Sequence, residues 1–278
     1  MVISRGLQEH PLVTFWVLAF AVTWVVWVPR AVGVPMGVVG EAWTWAPAVA
    51  AMIAAAITGG REALRQLLGR LLRWRVPWYW YVLVGVGPAA FSLGLAGVYV
   101  LLGGTWSIVA PRALQAPAIL PVLLLVLSAT DGLGEELAWR GYALPRLLAR
   151  HSALVASMIL GFLWALWHLP LLWTAGIADQ QLPLWLLLLD ISAKAIVFTW
   201  IFLRTRGSVL IVVLLHGSTN LFTVSPAQAI TSDLMFPLLA TAAKWLLVLP
   251  LVAVAGSRLT RCPDSEAILD QNAARSIR

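Results

Sequence analysis

Long apolar runs separated by short polar segments dominate this chain and predict its elements. The runs lie at about residues 12–29, 43–59, 78–102, 116–131, 153–173, 183–203, 208–224 and 234–255. A helix of about 20 apolar residues is long enough to cross the hydrocarbon core of a bilayer, which is ~30 Å thick. The pattern therefore predicts an all-α, polytopic membrane helix bundle of about eight transmembrane helices. We expect one transmembrane domain over residues 1–256 and a short polar tail over residues 257–278.

A different pattern lies between the second and third runs, from Arg61 to Trp74. At helical spacing the leucines of this segment share one face, and these are Leu64, Leu67, Leu68, Leu71 and Leu72. Because arginines occupy the other face, the segment predicts a helix along the membrane interface, with guanidinium groups near anionic lipid. An aromatic belt follows at the start of the third run, formed by Trp74, Trp78, Tyr79, Trp80 and Tyr81. We prefer a lipid-contact anchor to a helix that binds a partner protein.

Composition and charge narrow the class further. The chain is 61% hydrophobic and 11% charged, whereas a soluble domain is nearer half apolar and a quarter charged. The net charge is +7, and most of the arginines lie in short loops between the apolar runs. This distribution is typical of the positive-inside rule and does not indicate a nucleic-acid binding site. All arginines except Arg30 and Arg112 fall on one side, so both termini are predicted to be cytoplasmic. Arg5 precedes the first apolar run, which has no convincing signal-peptide cleavage site. The chain has a single cysteine, Cys262, so no disulfide framework is predicted.

Polar residues inside the apolar runs are candidates for function, because each is costly at membrane depth unless it is paired or faces a wet cavity. Three clusters stand out: Glu135 and Glu136 with Arg140, His168 with Trp164, and His216 with Asn220. Glu136 and Arg140 are four residues apart and can pair on a helix, which leaves Glu135 free. In the other two clusters the same spacing directs both side chains to one helix face.

Simple geometry links the first two clusters. The midpoint between Glu135 and His168 falls at residues 151–152, where the sequence allows a turn. If two antiparallel helices meet at this turn, Glu135 and His168 lie at similar depth in the membrane. A buried carboxylate can act as a general base and share a water with a histidine, while His216 and Asn220 donate to an oxyanion. Alternatively, Glu135, His168 and His216 match a catalytic zinc site. Chemistry alone leaves hydrolysis, polar contacts between helices and a proton relay open.

Two of the last three runs also carry charged residues. Asp190 and Lys194 are four residues apart in the sixth run and are predicted to form a structural ion pair on one helix face. Lys244 in the last run has no obvious partner in the sequence. It can extend towards the interface or meet a carboxylate on another helix.

The order of these motifs resembles a known family. Glu-Glu-x-x-x-Arg, then an aromatic-x-x-x-His, then His-x-x-x-Asn, on separate membrane helices, resembles the CPBP family. That family comprises the CAAX-processing type II endopeptidases, the bacteriocin-processing and self-immunity proteins, and the Abi-type membrane proteins. The resemblance covers a core at about residues 116–224, and the basic and aromatic stretch at 61–81 also looks family-like.

The resemblance implies roles for the motif residues. Glu135 looks like the base that activates water, with His168 as its partner, and Glu136 and Arg140 look like its support. His216 and Asn220 look like the pair that stabilises the oxyanion. Trp164 stands where the family usually has Phe, so we expect a reshaped substrate pocket. Members of the family have been described both as metalloproteases and as metal-free enzymes. Because the zinc motif His-Glu-x-x-His is absent from this chain, we favour a site without a metal cofactor, and zinc is the alternative.

The function implied is an intramembrane endopeptidase that uses Glu-activated water near a prenylated C-terminus or in a membrane-bound peptide. Some relatives remove a C-terminal tripeptide from prenylated proteins. The implied partners are membrane lipid and a membrane-associated or prenylated peptide, in a bacterial-type cell membrane. One alternative is a proton-coupled transporter with Glu135, His168, Asp190 and Lys194 as a relay, although no inverted repeat is detectable. Another is a non-catalytic immunity or assembly scaffold.

Overall fold

The computed structural model describes residues 9–37, 40, 43–106, 117–175, 182–222 and 234–259. All regular secondary structure within these ranges is helical, so the predicted all-α class is confirmed. Arg5, Arg112 and most of the polar tail, including Cys262, lie outside the described residues.

Eight main helices form the described part of the bundle. They are α1 (Pro11–Ala31), α2 (Ala46–Gly69), α3 (Trp78–Leu101), α4 (Pro117–Leu148), α5 (Ala153–Trp167), α6 (Leu184–Arg204), α7 (Val209–Phe222) and α8 (Met235–Ala255). Six of them, and α5 together with the 3-10 turn that extends it to Trp173, are long and apolar enough to cross a membrane, and α7 is a shorter apolar helix. The predicted architecture is therefore confirmed, and the chain is an integral membrane protein.

The predicted interfacial helix is the second half of α2. A kink at Gly60, whose φ of 60° and ψ of −148° are non-helical, separates it from the membrane-spanning half. The helix ends at Gly69, short of the predicted end at residue 74. Its leucines differ in environment, because Leu67 is only 3% exposed and packs into the core, whereas Leu72 is 77% exposed.

Helix α4 is irregular in the region that carries the two adjacent glutamates. Its α-helical residues Leu133–Glu136 lie between two π-helical stretches, Ser128–Gly132 and Leu137–Ala143. Such wide turns are rare and frequently occur at functional sites. From Leu137 to Ala143 every side chain is buried, so this part of α4 lies in the centre of the bundle.

Glycines allow neighbouring backbones to approach α4 closely. A Cβ atom on Gly134 would lie 2.4 Å from the carbonyl oxygen of Thr44. On α7, a Cβ atom on Gly217 would lie 2.2 Å from the hydroxyl oxygen of Ser128. Small residues at such contacts bring membrane helices together without a gap. Both contacts lie beside the acidic turn of α4, so they fix the position of its side chains.

The core and the periphery of the bundle differ as expected for a membrane protein. Trp139, Trp164 and Trp167 are fully buried, and the Trp167 indole N–H donates to the Thr23 hydroxyl at 2.8 Å. On α1 and α3, in contrast, large apolar side chains such as Val25 are exposed. In a lipid solvent this exposure carries no penalty.

Candidate active site

Two tryptophans hold the carboxylate of Glu135, which is only 5% exposed. Its Oε2 accepts hydrogen bonds from the indole N–H groups of Trp164 at 2.6 Å and Trp139 at 3.2 Å. Its Oε1 lies 3.9 Å from His216 Nε2 and accepts no hydrogen bond from the described residues. One oxygen is therefore fixed, and the other keeps its lone pairs for a further partner.

The neighbouring Glu136 is fully buried and has a different set of partners. Both of its carboxylate oxygens accept hydrogen bonds from Arg140 Nη1 at 2.8 Å, so the predicted pair one helical turn apart forms. Its Oε1 also lies 2.8 Å from His216 Nδ1. When His216 Nδ1 carries a proton, it donates to Glu136 and directs Nε2 towards Glu135.

Arg140 lies between two aromatic rings and is 0% exposed. Its guanidinium carbon is 4.7 Å from the centre of the Trp164 ring and 4.9 Å from that of Phe198. Both contacts have cation–π geometry and help to offset the cost of burying the charge. Its Nε and Nη2 have no hydrogen-bond partner among the described residues. The guanidinium therefore keeps donors that a bound group can use.

His168 does not contact Glu135 directly. Among the described residues these two share neither a hydrogen bond nor an ion pair, so their partnership through a shared water stays a prediction. Instead, His168 Nδ1 lies 2.9 Å from the carbonyl oxygen of Trp164. The Trp164 ring neighbours both histidines, with its centre 6.1 Å from that of His168 and 5.9 Å from that of His216. Glu135 thus contacts Trp164, one helical turn before His168.

Asn220 lies one turn beyond His216 on α7 and binds a residue that the sequence interpretation overlooked. Its Nδ2 donates to Asp131 Oδ2 at 3.0 Å. Asp131 lies on the first π-helical stretch, one turn before Glu135. Asn220 thus approaches the acidic side of α4, like His216.

Three residues of the site were missed from the sequence: Asp131, Trp139 and Phe198. Asp131 precedes Glu135 by four residues and Trp139 follows it by four, so helical spacing alone would have placed them on its face. Phe198, on α6, contacts Arg140 and lies edge-on to His216 with ring centres 6.0 Å apart. Its apolar surroundings in the sequence gave no comparable signal.

The charged residues of α6 and α8 form a second polar group. Asp190 pairs with Lys244 and also accepts a hydrogen bond from the Thr241 hydroxyl at 3.1 Å. The expected Asp190–Lys194 pair is therefore wrong, and Lys244 has a partner after all. Lys194 instead lies 5.7 Å from the centre of the Trp164 ring.

The alternative zinc set does not fit this geometry. Among the described residues, no three or more His, Cys, Asp or Glu side chains are grouped to hold a metal ion. His216 Nδ1 is engaged by Glu136, and His168 Nδ1 is engaged by the carbonyl oxygen of Trp164. Glu135, His168 and His216 are therefore not assembled as ligands, and we derive no step through a metal.

The fold and this cluster define an integral membrane protein with an acid–base site inside its helix bundle. Residues 117–222 match the family model of the Rce1-like type II CAAX prenyl endopeptidases. The match spans the whole cluster from Asp131 to Asn220. This part of the chain is therefore similar to the Rce1-like type II CAAX prenyl endopeptidases, which confirms the resemblance inferred from the motifs.

One relative gives a direct sequence comparison. CAAX prenyl protease 2 of Methanococcus maripaludis is 36% identical to this chain over 107 residues. The aligned region covers 36% of this chain and 39% of the relative. The chain thus matches well under half of that protein's length.

Proposed function

We propose that this protein is an intramembrane endopeptidase in which Glu135 activates a water molecule to hydrolyse a peptide bond. The observation that carries the proposal is the set of hydrogen bonds that the Glu135 carboxylate accepts. Two indoles hold Oε2, while Oε1 faces His216 Nε2 at 3.9 Å and has no hydrogen bond from the described residues. A general base needs such a positioned and available lone pair.

The reaction follows from these positions. Glu135 Oε1 accepts a proton from water, and the resulting hydroxide attacks the carbonyl carbon of the peptide bond. The carbonyl oxygen becomes an oxyanion, which donors in a dry site stabilise strongly. Glu135 then returns the proton to the leaving amine as the C–N bond breaks.

The geometry supports a revised assignment of the two histidines. His216 lies beside both glutamates, so we assign it the role of contacting the attacking water. His168 and the Asn220 amide, which lie further from Glu135, are assigned to the oxyanion. Glu136 and Arg140 position His216 and keep the buried charge of the cluster balanced.

The substrate class follows from the family and from the membrane setting. We propose a membrane-associated peptide with a prenylated C-terminus, because the matching relative is a CAAX prenyl protease. Trp164, which touches both Glu135 and Arg140, lies where it can form a wall of the peptide site. We further propose that both termini lie in the cytoplasm, since the short loops on that side carry most of the arginines.

The test uses the full-length protein in lipid nanodiscs and a farnesylated peptide with a free C-terminal carboxylate. The reaction is run in ¹⁸O-labelled water, and the products are identified by mass spectrometry. We expect a single cut that releases the C-terminal residues and places one ¹⁸O atom in the new carboxylate. The same peptide without its farnesyl group is the control and is expected to be cut more slowly. Absence of labelled product from every farnesylated peptide tested would contradict the proposed activity.

A further inference from the structure

Three arginines at one end of the bundle form a cluster that the proposed reaction does not use. Arg70 and Arg73 lie in the segment that joins α2 to α3, and Arg146 lies near the end of α4. The Arg70 Nη1 group donates to the carbonyl oxygen of Gly141 at 2.6 Å. The Arg146 Nη1 group donates to the next carbonyl, that of Tyr142, at 2.9 Å. Because these two carbonyls are adjacent in the chain, the two guanidinium groups are neighbours.

The segment between α6 and α7 fixes the third arginine beside them. Arg73 Nη1 donates to the carbonyl oxygen of Arg206 at 2.8 Å, and the Arg73 carbonyl accepts from the Ser208 hydroxyl at 2.7 Å. Arg70 is held in the same way, since its carbonyl accepts from Val209 N at 3.1 Å. Gly207, with φ of 74°, leaves room for Arg73, whose Nη1 would lie 2.9 Å from a Cβ atom there. The cluster is therefore a built feature rather than a row of freely solvated side chains.

The cluster carries three positive charges and no negative one. Within the described ranges, no carboxylate lies within salt-bridge distance of Arg70, Arg73 or Arg146. Burial lowers the pKa of Arg70 to about 10, and the charges of Arg73 and Arg146 add to this effect. Each guanidinium has five N–H donors, of which one in each case donates to a described residue. An anion with several acceptor oxygens would satisfy both the charge and the remaining donors.

Exposed aromatic side chains show at what depth of the membrane this anion would lie. Trp74, in the same connecting segment, is 58% exposed, and Trp78 and Tyr79, at the start of α3, are 75% and 51% exposed. Tryptophan and tyrosine in such positions mark the boundary between acyl chains and headgroups. The arginine cluster therefore lies at the level of the phospholipid phosphates.

We infer that Arg70, Arg73 and Arg146 together bind the phosphate of an anionic phospholipid headgroup. Guanidinium groups form short, charge-assisted and often bidentate hydrogen bonds to phosphate, which suits a pre-positioned set of three. The surface of the cytoplasmic leaflet is rich in anionic lipid, and it is the side on which most of the arginines are predicted to lie. The ligand could otherwise be a free phosphate, which shares this chemistry, and the experiment below separates the two.

The site also connects the lipid to the catalytic helix. Arg70 and Arg146 both bond to carbonyls at Gly141 and Tyr142, within the π-helical stretch that carries Arg140. An anion that lowers the repulsion between these arginines stabilises the end of α4. We therefore expect bound anionic lipid to raise the melting temperature of the protein.

The test measures lipid binding by native mass spectrometry on delipidated full-length protein in detergent. The probes are phosphatidylglycerol, diacylglycerol, which lacks a phosphate, and inorganic phosphate. We expect retention of phosphatidylglycerol, with an increase in melting temperature, and neither effect from diacylglycerol. The R70Q/R73Q/R146Q variant is expected to bind phosphatidylglycerol about tenfold or more weakly. The single variant R73Q, which replaces the most exposed of the three side chains, is expected to lose part of this affinity. It replaces the triple variant in the test if the triple variant does not fold.

The matched control removes the same charge from exposed arginines. R61Q/R150Q/R204Q has the same net charge as the triple variant, and all three of its positions are exposed. It is expected to keep the binding of phosphatidylglycerol. Equal losses in the cluster and control variants would overturn the proposal in favour of a diffuse positive surface. Equal stabilisation by inorganic phosphate alone would overturn the assignment to a lipid.

Discussion

Two polar groups lie inside this bundle, and they are built in opposite ways. The group on α6 and α8 is closed: Asp190 receives Lys244 and the Thr241 hydroxyl, and its side chain is 21% exposed. The group on α4 and α7 is more deeply buried and incomplete. There, Glu135 Oε1 and two nitrogens of Arg140 have no hydrogen bond from the described residues.

The difference teaches how to separate a structural polar group from a functional one. A charge pair that joins two helices only needs to satisfy its own atoms, and the Asp190 group does so. The glutamate group keeps unused acceptors and donors at 5% exposure or less, which is costly for stability. A fold retains such a cost at a site where a substrate supplies the missing partners. The following predictions test this contrast, from the largest effect to the smallest.

Glu136→Gln is expected to damage the protein most, because it removes the carboxylate that pairs directly with the buried Arg140. Removal of one partner of a buried ion pair destabilises a fold by about 3–5 kcal/mol. We expect a large drop in melting temperature together with loss of peptide cleavage, both measured on the purified variant in nanodiscs. An unchanged melting temperature would show that the pair does not hold the cluster together.

Trp164→Phe is expected to slow cleavage while the fold is retained. The phenyl ring keeps the aromatic contact with Arg140 but cannot donate to Glu135 Oε2, which the indole now does at 2.6 Å. A hydrogen bond to a charged group contributes about 1.5–3 kcal/mol, so we expect a fall in kcat/KM of about tenfold or more. Trp200→Phe, at a tryptophan outside the cluster, is the matched control and should leave kcat/KM close to the original value.

Asp190→Asn is expected to have the smallest effect. A polar contact between membrane helices contributes about 0.6 kcal/mol on average, and at most about 1.7 kcal/mol. The variant should therefore melt slightly lower and cleave peptide at nearly the original rate. The double variant D190N/K244M also removes the charge of Lys244 and should recover part of the lost stability. A large loss of cleavage in either variant would place Asp190 in the reaction and favour a relay.

Much of the fold could be predicted from the sequence, since the apolar runs alone define the helices. The pair of Glu136 with Arg140 also followed, because local helical spacing places them together. The contact of His216 with Glu136 joins residues far apart in the chain, and no local rule predicts it. The midpoint arithmetic for Glu135 and His168 assumed regular helices, and the structure places Trp164, one turn before His168, against Glu135.

The irregular turns of α4 explain this shift of one turn in physical terms. The π-helical stretches on either side of Glu135 change the rise and rotation per residue, so its depth cannot be counted from the loop. It meets Trp164 instead, one turn from His168. Lys244 shows the same limit, since its partner Asp190 lies on another helix.

The most direct measurement compares Glu135→Gln with Asp190→Asn in single-turnover cleavage of a farnesylated peptide. Both variants replace one carboxylate inside the bundle with an amide of the same shape. If Glu135 is the base, its variant should lose about 10³-fold in rate with little change in melting temperature. The Asp190 variant should remain close to the original rate. Cleavage at the original rate by Glu135→Gln would contradict the assignment of Glu135 as the base that activates water.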